Sequence, residues 1–314
     1  MSKKHPLLKT IITTAAALYA TNEAIDYRAK EKNVCSSDKG LFYDWKYGQI
    51  YYTVQGEGEP LLLIHNLDTI SSNYEWFKII KKLERNHTVY AIDLLGCGQS
   101  DKPSLTYTNY LYVQLITGFV KDVIGKKTDV ITSADAAPIA IMANHMDDTL
   151  FSKVVLINPV DIRDMKMETT QLQMAVKNIL FMPLIGTSLY NFYVSESNIK
   201  NIFENQYFYQ RNMDLSKYID IYYQSAHIRK SRGRYLYASK KCCYTNVDIT
   251  LGLKDKDNIY IIESSNRKHA VSIADAYSNL NQKIEVTYIS NSKLLPMLEV
   301  PEQCLKIIQT YLNQ

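Results

Sequence analysis

The feature that most constrains this chain is a rhythm of short apolar runs. Leu61–Ile64, Thr88–Ile92, Val130–Thr132 and Val154–Ile157 alternate with segments of helical period at 72–85, 107–125 and 137–147. An unbroken apolar run of this length suits a strand buried on both faces. Strand followed by helix at this spacing predicts an α/β architecture, a mostly parallel sheet wrapped by helices through right-handed crossovers. Ahead of it, Gly48–Gln55 alternates like a half-buried strand and Gly56–Pro60 is a turn. The rhythm stops at 162–245, which is mostly helical and rich in Met, Tyr and Asn. It resumes with Ile259–Ile262, a helix at 268–280, Ile284–Ile289 and a last helix Pro301–Leu312. The chain thus divides into an N-terminal apolar helix and linker (1–40), the first part of the sheet domain (41–161), an inserted helical block (162–245) and the second part of the sheet domain (246–314).

Composition excludes several classes. With 46% hydrophobic and 22% charged residues in 314, the chain is globular rather than disordered. A net charge of +4, evenly spread, gives no basis for nucleic acid as a partner. The five cysteines (Cys35, Cys97, Cys242, Cys243, Cys304) form neither a disulfide framework nor a C-x-x-C pair. There is no G-x-G-x-x-G after the first strand, no G-x-x-x-x-G-K-[ST] and no cluster with metal-ligand spacing. No cofactor and no metal is therefore expected.

The N-terminus differs from the body. Lys3 and Lys4 precede an apolar stretch, residues 6–22, broken by Lys9 and several Thr; within it the uncharged run Thr10–Asn22 is 13 residues long. A membrane span wants about 20. Three alternatives stand: membrane attachment through residues 6–22, with Lys9 snorkelling and the N-terminus cytoplasmic; a cleaved signal peptide, for which Leu18-Tyr19-Ala20 is a poor cleavage site; or a plain helix. Localisation accordingly lies between membrane association and the cytoplasm. Residues 30–40 are a polar linker.

Certain stretches of the body resemble the α/β-hydrolase fold superfamily. His65-Asn66, after Leu61–Ile64, is similar to the His-Gly turn that in that family helps build the oxyanion hole. Asp93-Leu-Leu-Gly96-Cys-Gly98-Gln-Ser100-Asp-Lys-Pro103 resembles the Asp-x-x-Gly-x-Gly-x-Ser-x-x-Pro stretch after the fourth strand, and this match is specific. Leu156-Ile-Asn-Pro159 and Leu298-Glu299-Val-Pro301-Glu302 resemble the end of the sixth strand and the segment after the catalytic histidine. The resemblance covers about 41–160 and 250–314, with 162–245 as a lid, and is nearest the lidded esterase, haloperoxidase and dehalogenase-like members.

The resemblance implies a nucleophile on a strained turn, a histidine and an acid. At the first position the sequence reads Thr132-Ser133-Ala134-Asp135-Ala136, so the nucleophile falls on Ala134, or on Ala136 two residues later. The histidine position is Leu294. The acid position is Asn266, with Glu263 too early; relatives that carry the acid after the sixth strand would use Asp161 or Asp164. None of the six histidines (His5, His65, His87, His145, His227, His269) opens the last loop. Losing triad members costs on the order of 10⁴–10⁶ in rate. The expectation is a degenerate hydrolase fold that binds a ligand or serves a structural role. The alternatives are an active hydrolase of an ester or related apolar substrate with displaced residues (Asp135 or Ser133 as nucleophile, His269 as base) and non-hydrolytic chemistry such as a lyase. His65 and Asn66 fix the turn; Asp93 and Ser100-Asp101 pin their loop. The aromatic residues of 162–245, Tyr190, Phe192, Tyr193, Tyr207, Phe208, Tyr209, Tyr222 and Tyr223, suit lid core packing or a pocket for a small apolar ligand. The basic run 228–234 suits a solvated turn.

Overall fold

A computed structural model describes residues 6–32 and 40–314. Most of the linker expected at 30–40, and Cys35 and His5 with it, lie outside the described residues. Eight strands form one sheet: β1 Leu41–Trp45, β2 Gly48–Gln55, β3 Glu59–Ile64, β4 His87–Ile92, β5 Thr128–Ser133, β6 Phe151–Ile157, β7 Ile259–Ser264 and β8 Glu285–Ile289. Their order is β1-β2-β4-β3-β5-β6-β7-β8. β1–β2 and β2–β4 pair antiparallel, and every pairing from β4 to β8 is parallel.

The parallel strands are apolar on both faces because both faces are covered. Leu62, Ile64, Val130, Leu156 and Ile261 pack on one side under the helices Asn109–Phe119, Ala137–Met146 and Ala270–Leu280. Leu61, Leu63, Ile131, Val155 and Ile262 pack on the other against the helix Pro301–Leu312. The segment 72–85 is not the single helix its period suggests. Ser72 caps a short 3₁₀ turn, Asn73–Trp76, and a separate turn of helix covers Ile80–Leu83. The first break follows from Asn73, whose amide is drawn 2.7 Å from Asp93 Oδ1.

The register aligns one set of strand ends. Ile64 pairs Thr132, Ser133 pairs Ile157, Ile157 pairs Ile262 and Ser264 pairs Ile289. The segments that follow β3, β5, β6, β7 and β8 therefore gather at one edge. Strand order reverses between β3 and β5, and such a switch point opens a crevice at the carboxyl ends of the strands.

Between β6 and β7 the chain builds helices Gln171–Phe181, Ile185–Tyr193, Glu196–Ile202, Ser216–His227 and Arg234–Lys241. Its aromatic residues mostly pack on one another. Phe203 meets Tyr207, Phe208 and Tyr222 with ring centroids 5.2, 5.1 and 4.8 Å away. Phe192 and Tyr209 are exposed instead. The block sits on the segment after β3 through Tyr190, whose hydroxyl lies 2.7 Å from Thr69 Oγ1 and donates to the Ala226 carbonyl. The N-terminal helix, Pro6–Glu31, docks its rear half on the block through Asn22 and Glu23, and Lys32 just after it adds an ion pair with Glu196.

Candidate functional site

The turn after β5 is strained. Ser133 ends the strand, Ala134 has φ 47°, and a 3₁₀ turn, Ala134–Ala136, leads into the helix Ala137–Met146. A left-handed non-glycine residue costs about 1–2 kcal/mol, which surrounding structure must offset. The residue in that conformation carries a buried methyl group. Ser133 is fully buried and Ala136 also lies in the core.

Facing this turn is the His65-Asn66 turn after β3. His65 is fully buried; its Nδ1 lies 2.7 Å from the Asn66 carbonyl and its Nε2 accepts from the Leu94 amide at 3.0 Å. Burial pushes the imidazole down to about 4, so it is neutral, with Nδ1–H as donor. Both ring nitrogens are engaged, and this histidine is a brace between β3 and β4.

Two backbone amides here matter for chemistry. The Asp135 amide donates to Asn66 Oδ1 at 3.1 Å. The Asn66 amide donates to Glu75 Oε2 at 2.9 Å. Each N–H at the turn is thus satisfied from within the protein. Glu75 is completely buried, and burial pushes its carboxyl up to about 7 against the Asn66 amide and the Ser71 and Ser133 hydroxyls, which pull it down. Those hydroxyls lie beside the carboxyl, yet neither they nor Glu75 Oε1 forms a well-aligned hydrogen bond. The sequence did not single out Glu75; the signal it offers is a lone carboxylate beside Trp76 in a segment that is otherwise apolar inward.

Asp135 points the other way. Its carboxylate pairs with Lys240 of the inserted block at 2.7 Å, and Lys240 also reaches Asp68 at 3.5 Å and donates to the Leu67 carbonyl. Burial would depress the Lys240 ammonium, but the Asp135 and Asp68 carboxylates outweigh it and hold it above its ordinary value. Lys240 therefore clamps the turn after β5 to the segment after β3. Beside it lies a cavity of about 240 Å³ lined by Asp135, Val160, Asp164, Met165, Lys240 and Asn246, among others.

The other loops are held by a neutral network with one acidic residue, Glu299, at its margin. Asn158, immediately after β6 with φ 51°, shares the two hydrogens of Nδ2 among Ser264 Oγ and the Lys293 and Leu294 carbonyls, all at 2.8–3.0 Å, and its side-chain oxygen accepts from the Ser264 amide at 2.7 Å. Ser264 Oγ meets Ser292 Oγ at 2.9 Å. Glu299 fixes the same loop by accepting from the Lys293 amide at 3.1 Å, and from Tyr209 and Gln210 of the block. Leu294 thus contributes a carbonyl to the network and an isobutyl group to its surroundings.

The remaining sequence candidates do not converge. Asn266 is half-buried in the turn after β7, and Glu263 is buried and paired with Arg267 at 3.2 Å. Asp161 is gripped by Arg163, which holds its carboxyl below the usual range, and the exposed His269 lies close enough to add to that effect. Among the described residues no histidine hydrogen-bonds to Ser133 or Asp135: His227 Nδ1 lies 2.7 Å from the Tyr223 carbonyl, and His145 is exposed at the far end of its helix. Asp93 accepts from the Asn73 and Gln99 amides, and Ser100 bridges the Asp93 carbonyl to the Tyr51 amide.

A family described as alpha/beta hydrolase fold matches residues 59–181. A haloalkane dehalogenase of Agrobacterium fabrum is 38% identical over 60 residues, which is 19% of this chain and 19% of that protein. The chain thus matches about a fifth of the length of that curated relative. A solved serine hydrolase involved in carbazole degradation superposes with a TM-score of 0.71 at 17% identity, covering 87% of this chain and 98% of the other. A membrane phospholipase A superposes with a TM-score of 0.67 at 16% identity, covering 98% of this chain and 96% of the other. At these identities the structural likeness is one of fold.

Proposed function

We propose that this chain, which has the α/β-hydrolase fold, is a hydrolase-fold protein without a working nucleophile–histidine–acid triad, one that holds a small ligand rather than turning it over. The observation that carries this reading is Ala134: the left-handed residue on the strand-to-helix turn has no atom able to attack. In this fold the attacking side chain sits on such a turn, and the next residue's N–H joins an N–H after β3 to stabilise the oxyanion. Here the Asp135 amide is taken by Asn66 Oδ1 and the Asn66 amide by Glu75. Each missing oxyanion donor typically costs 10²–10³ in rate, on the order of 3–4 kcal/mol. These two bonds argue against residual oxyanion stabilisation as well.

The inserted block acts as a lid in this reading, with Lys240 as its contact to the site. The adjoining cavity mixes charged and apolar lining, which favours a small ligand with one polar end at Asp135–Lys240 and an apolar end at Val160 and Met165. A second reading has one observation in its favour. Ser133 lies beside Glu75, whose carboxyl is poised near neutrality, so a displaced serine nucleophile with a carboxylate base would be an active hydrolase. A panel of short-chain p-nitrophenyl esters separates the two. The triad-less protein shows no turnover above buffer, whereas turnover that disappears in Ser133→Ala or Asp135→Asn would establish displaced catalysis.

A further inference from the structure

Half of the large apolar side chains that stand exposed among the described residues fall in two segments, 8–19 and 172–192. The first is the front half of the N-terminal helix, where Ile12 is 59% exposed; the second is the helix pair Gln171–Phe181 and Ile185–Tyr193, where Phe192 is 79% exposed. The two segments meet at the bend of the helix pair. The rear of the N-terminal helix is fixed to the pair by Asn22, which bonds Asn191 Nδ2 at 3.0 Å and Ser188 Oγ at 3.2 Å. Between them runs an apolar groove of about 600 Å³ lined by Ile11, Ala15, Leu18, Met182, Leu184 and Ile185 with three neighbours. Monomeric soluble proteins seldom leave so continuous an apolar patch open.

We propose that this surface docks the chain peripherally on an anionic lipid bilayer. Charge selects the occupant. Neither 6–22 nor 169–195 contains a single Asp or Glu; Lys9 and Lys177 are their only charged residues, and Lys3 and Lys4 stand just ahead. All acidic residues of the N-terminal helix lie behind Asn22, where Glu23 and Asp26 bind the block. An apolar face whose own segments carry only cations suits immersion at a negatively charged headgroup layer. Length selects the mode. Among the described residues no single helix is long and apolar enough to cross a membrane, and the helix pair bends by 105°, which suits a wedge lying in the interface.

The test is cosedimentation of the full chain with vesicles of equimolar phosphatidylcholine and phosphatidylglycerol, and with phosphatidylcholine alone. The chain binds the anionic vesicles, several-fold less the neutral ones, and carbonate releases it. Ile12→Glu with Phe192→Glu weakens binding about tenfold or more while the melting curve holds. Should the double variant unfold, Ile12→Glu alone, on a stretch with few neighbours, shows the same direction. Failure to bind, equal binding to both vesicle types, resistance to carbonate, or a discrete dimer that the same variants dissociate would overturn the proposal.

Discussion

The turn after β5 and the loops after β6, β7 and β8 share one edge of the sheet and solve different problems. At the first, backbone strain is kept at Ala134, and the polar groups around it are spent on one another: Asn66 on the Asp135 amide, Glu75 on the Asn66 amide, Lys240 on Asp135. At the second, a neutral amide, Asn158, holds three segments together with two serine hydroxyls. The difference teaches that a left-handed turn is a property of the strand–helix junction and survives without a reactive side chain. At the loops after β6, β7 and β8 a hydrogen-bonded staple satisfies the polar groups instead.

The comparison is broken most forcefully by rebuilding the chemistry. Ala134→Ser with Leu294→His restores a hydroxyl and an imidazole but leaves the Asp135 amide capped. Adding Asn66→Gly frees it. The triple variant is expected to exceed the double in kcat on short-chain esters by about 10²-fold, the usual worth of an oxyanion donor. Equal rates in the two would show that the Asn66 cap is irrelevant.

The staple should matter to stability. Asn158→Leu strands the Ser264 amide and the Lys293 and Leu294 carbonyls in a fully buried site, so unfolding should become easier by about 2–4 kcal/mol in urea titrations. A loss below about 1 kcal/mol would mean the loops are held mainly by Glu299.

Glu75 sharpens the same contrast through pH. Its ordinary value of 4.5 is raised to about 7 in the fold, so the folded state holds a proton that the unfolded state has released between those values. Its neutral form favours folding below about pH 4.5, and that contribution is lost as pH rises to about 7, a difference on the order of 3 kcal/mol. Glu75→Gln should therefore melt close to the parent below about pH 4.5, progressively higher between about pH 4.5 and 7, and by a constant margin above that. A constant offset across the range would contradict the buried, proton-binding carboxyl.

Least disruptive is Ala134→Gly. It relieves the left-handed strain but loosens the unfolded chain, for a net stabilisation of at most about 1 kcal/mol. A clear destabilisation would mean that packing of the buried Ala134 methyl outweighs the backbone strain.

Much of the scaffold is legible in the sequence because its signals are local. Leu61–Ile64 and Val154–Ile157 are strands by their unbroken apolar character, and Asp93–Pro103 names the loop it forms. That alanine stands at Ala134 is likewise plain from the chain. What the sequence hides are pairings between distant residues. Asn66 caps an amide 69 positions away, Lys240 reaches Asp135 from the inserted block, and Asn158 joins residues more than a hundred positions downstream. The segment 72–85 fails as one helix for the same reason: its period is helical, but Asp93 captures the Asn73 amide from another strand's end.

The central claim is tested most directly by intact mass of the unmodified full chain after incubation with a fluorophosphonate. With a methyl group on the strained turn and the neighbouring amides engaged, no adduct should form. A stoichiometric adduct on Ser133, absent in Ser133→Ala, would contradict it.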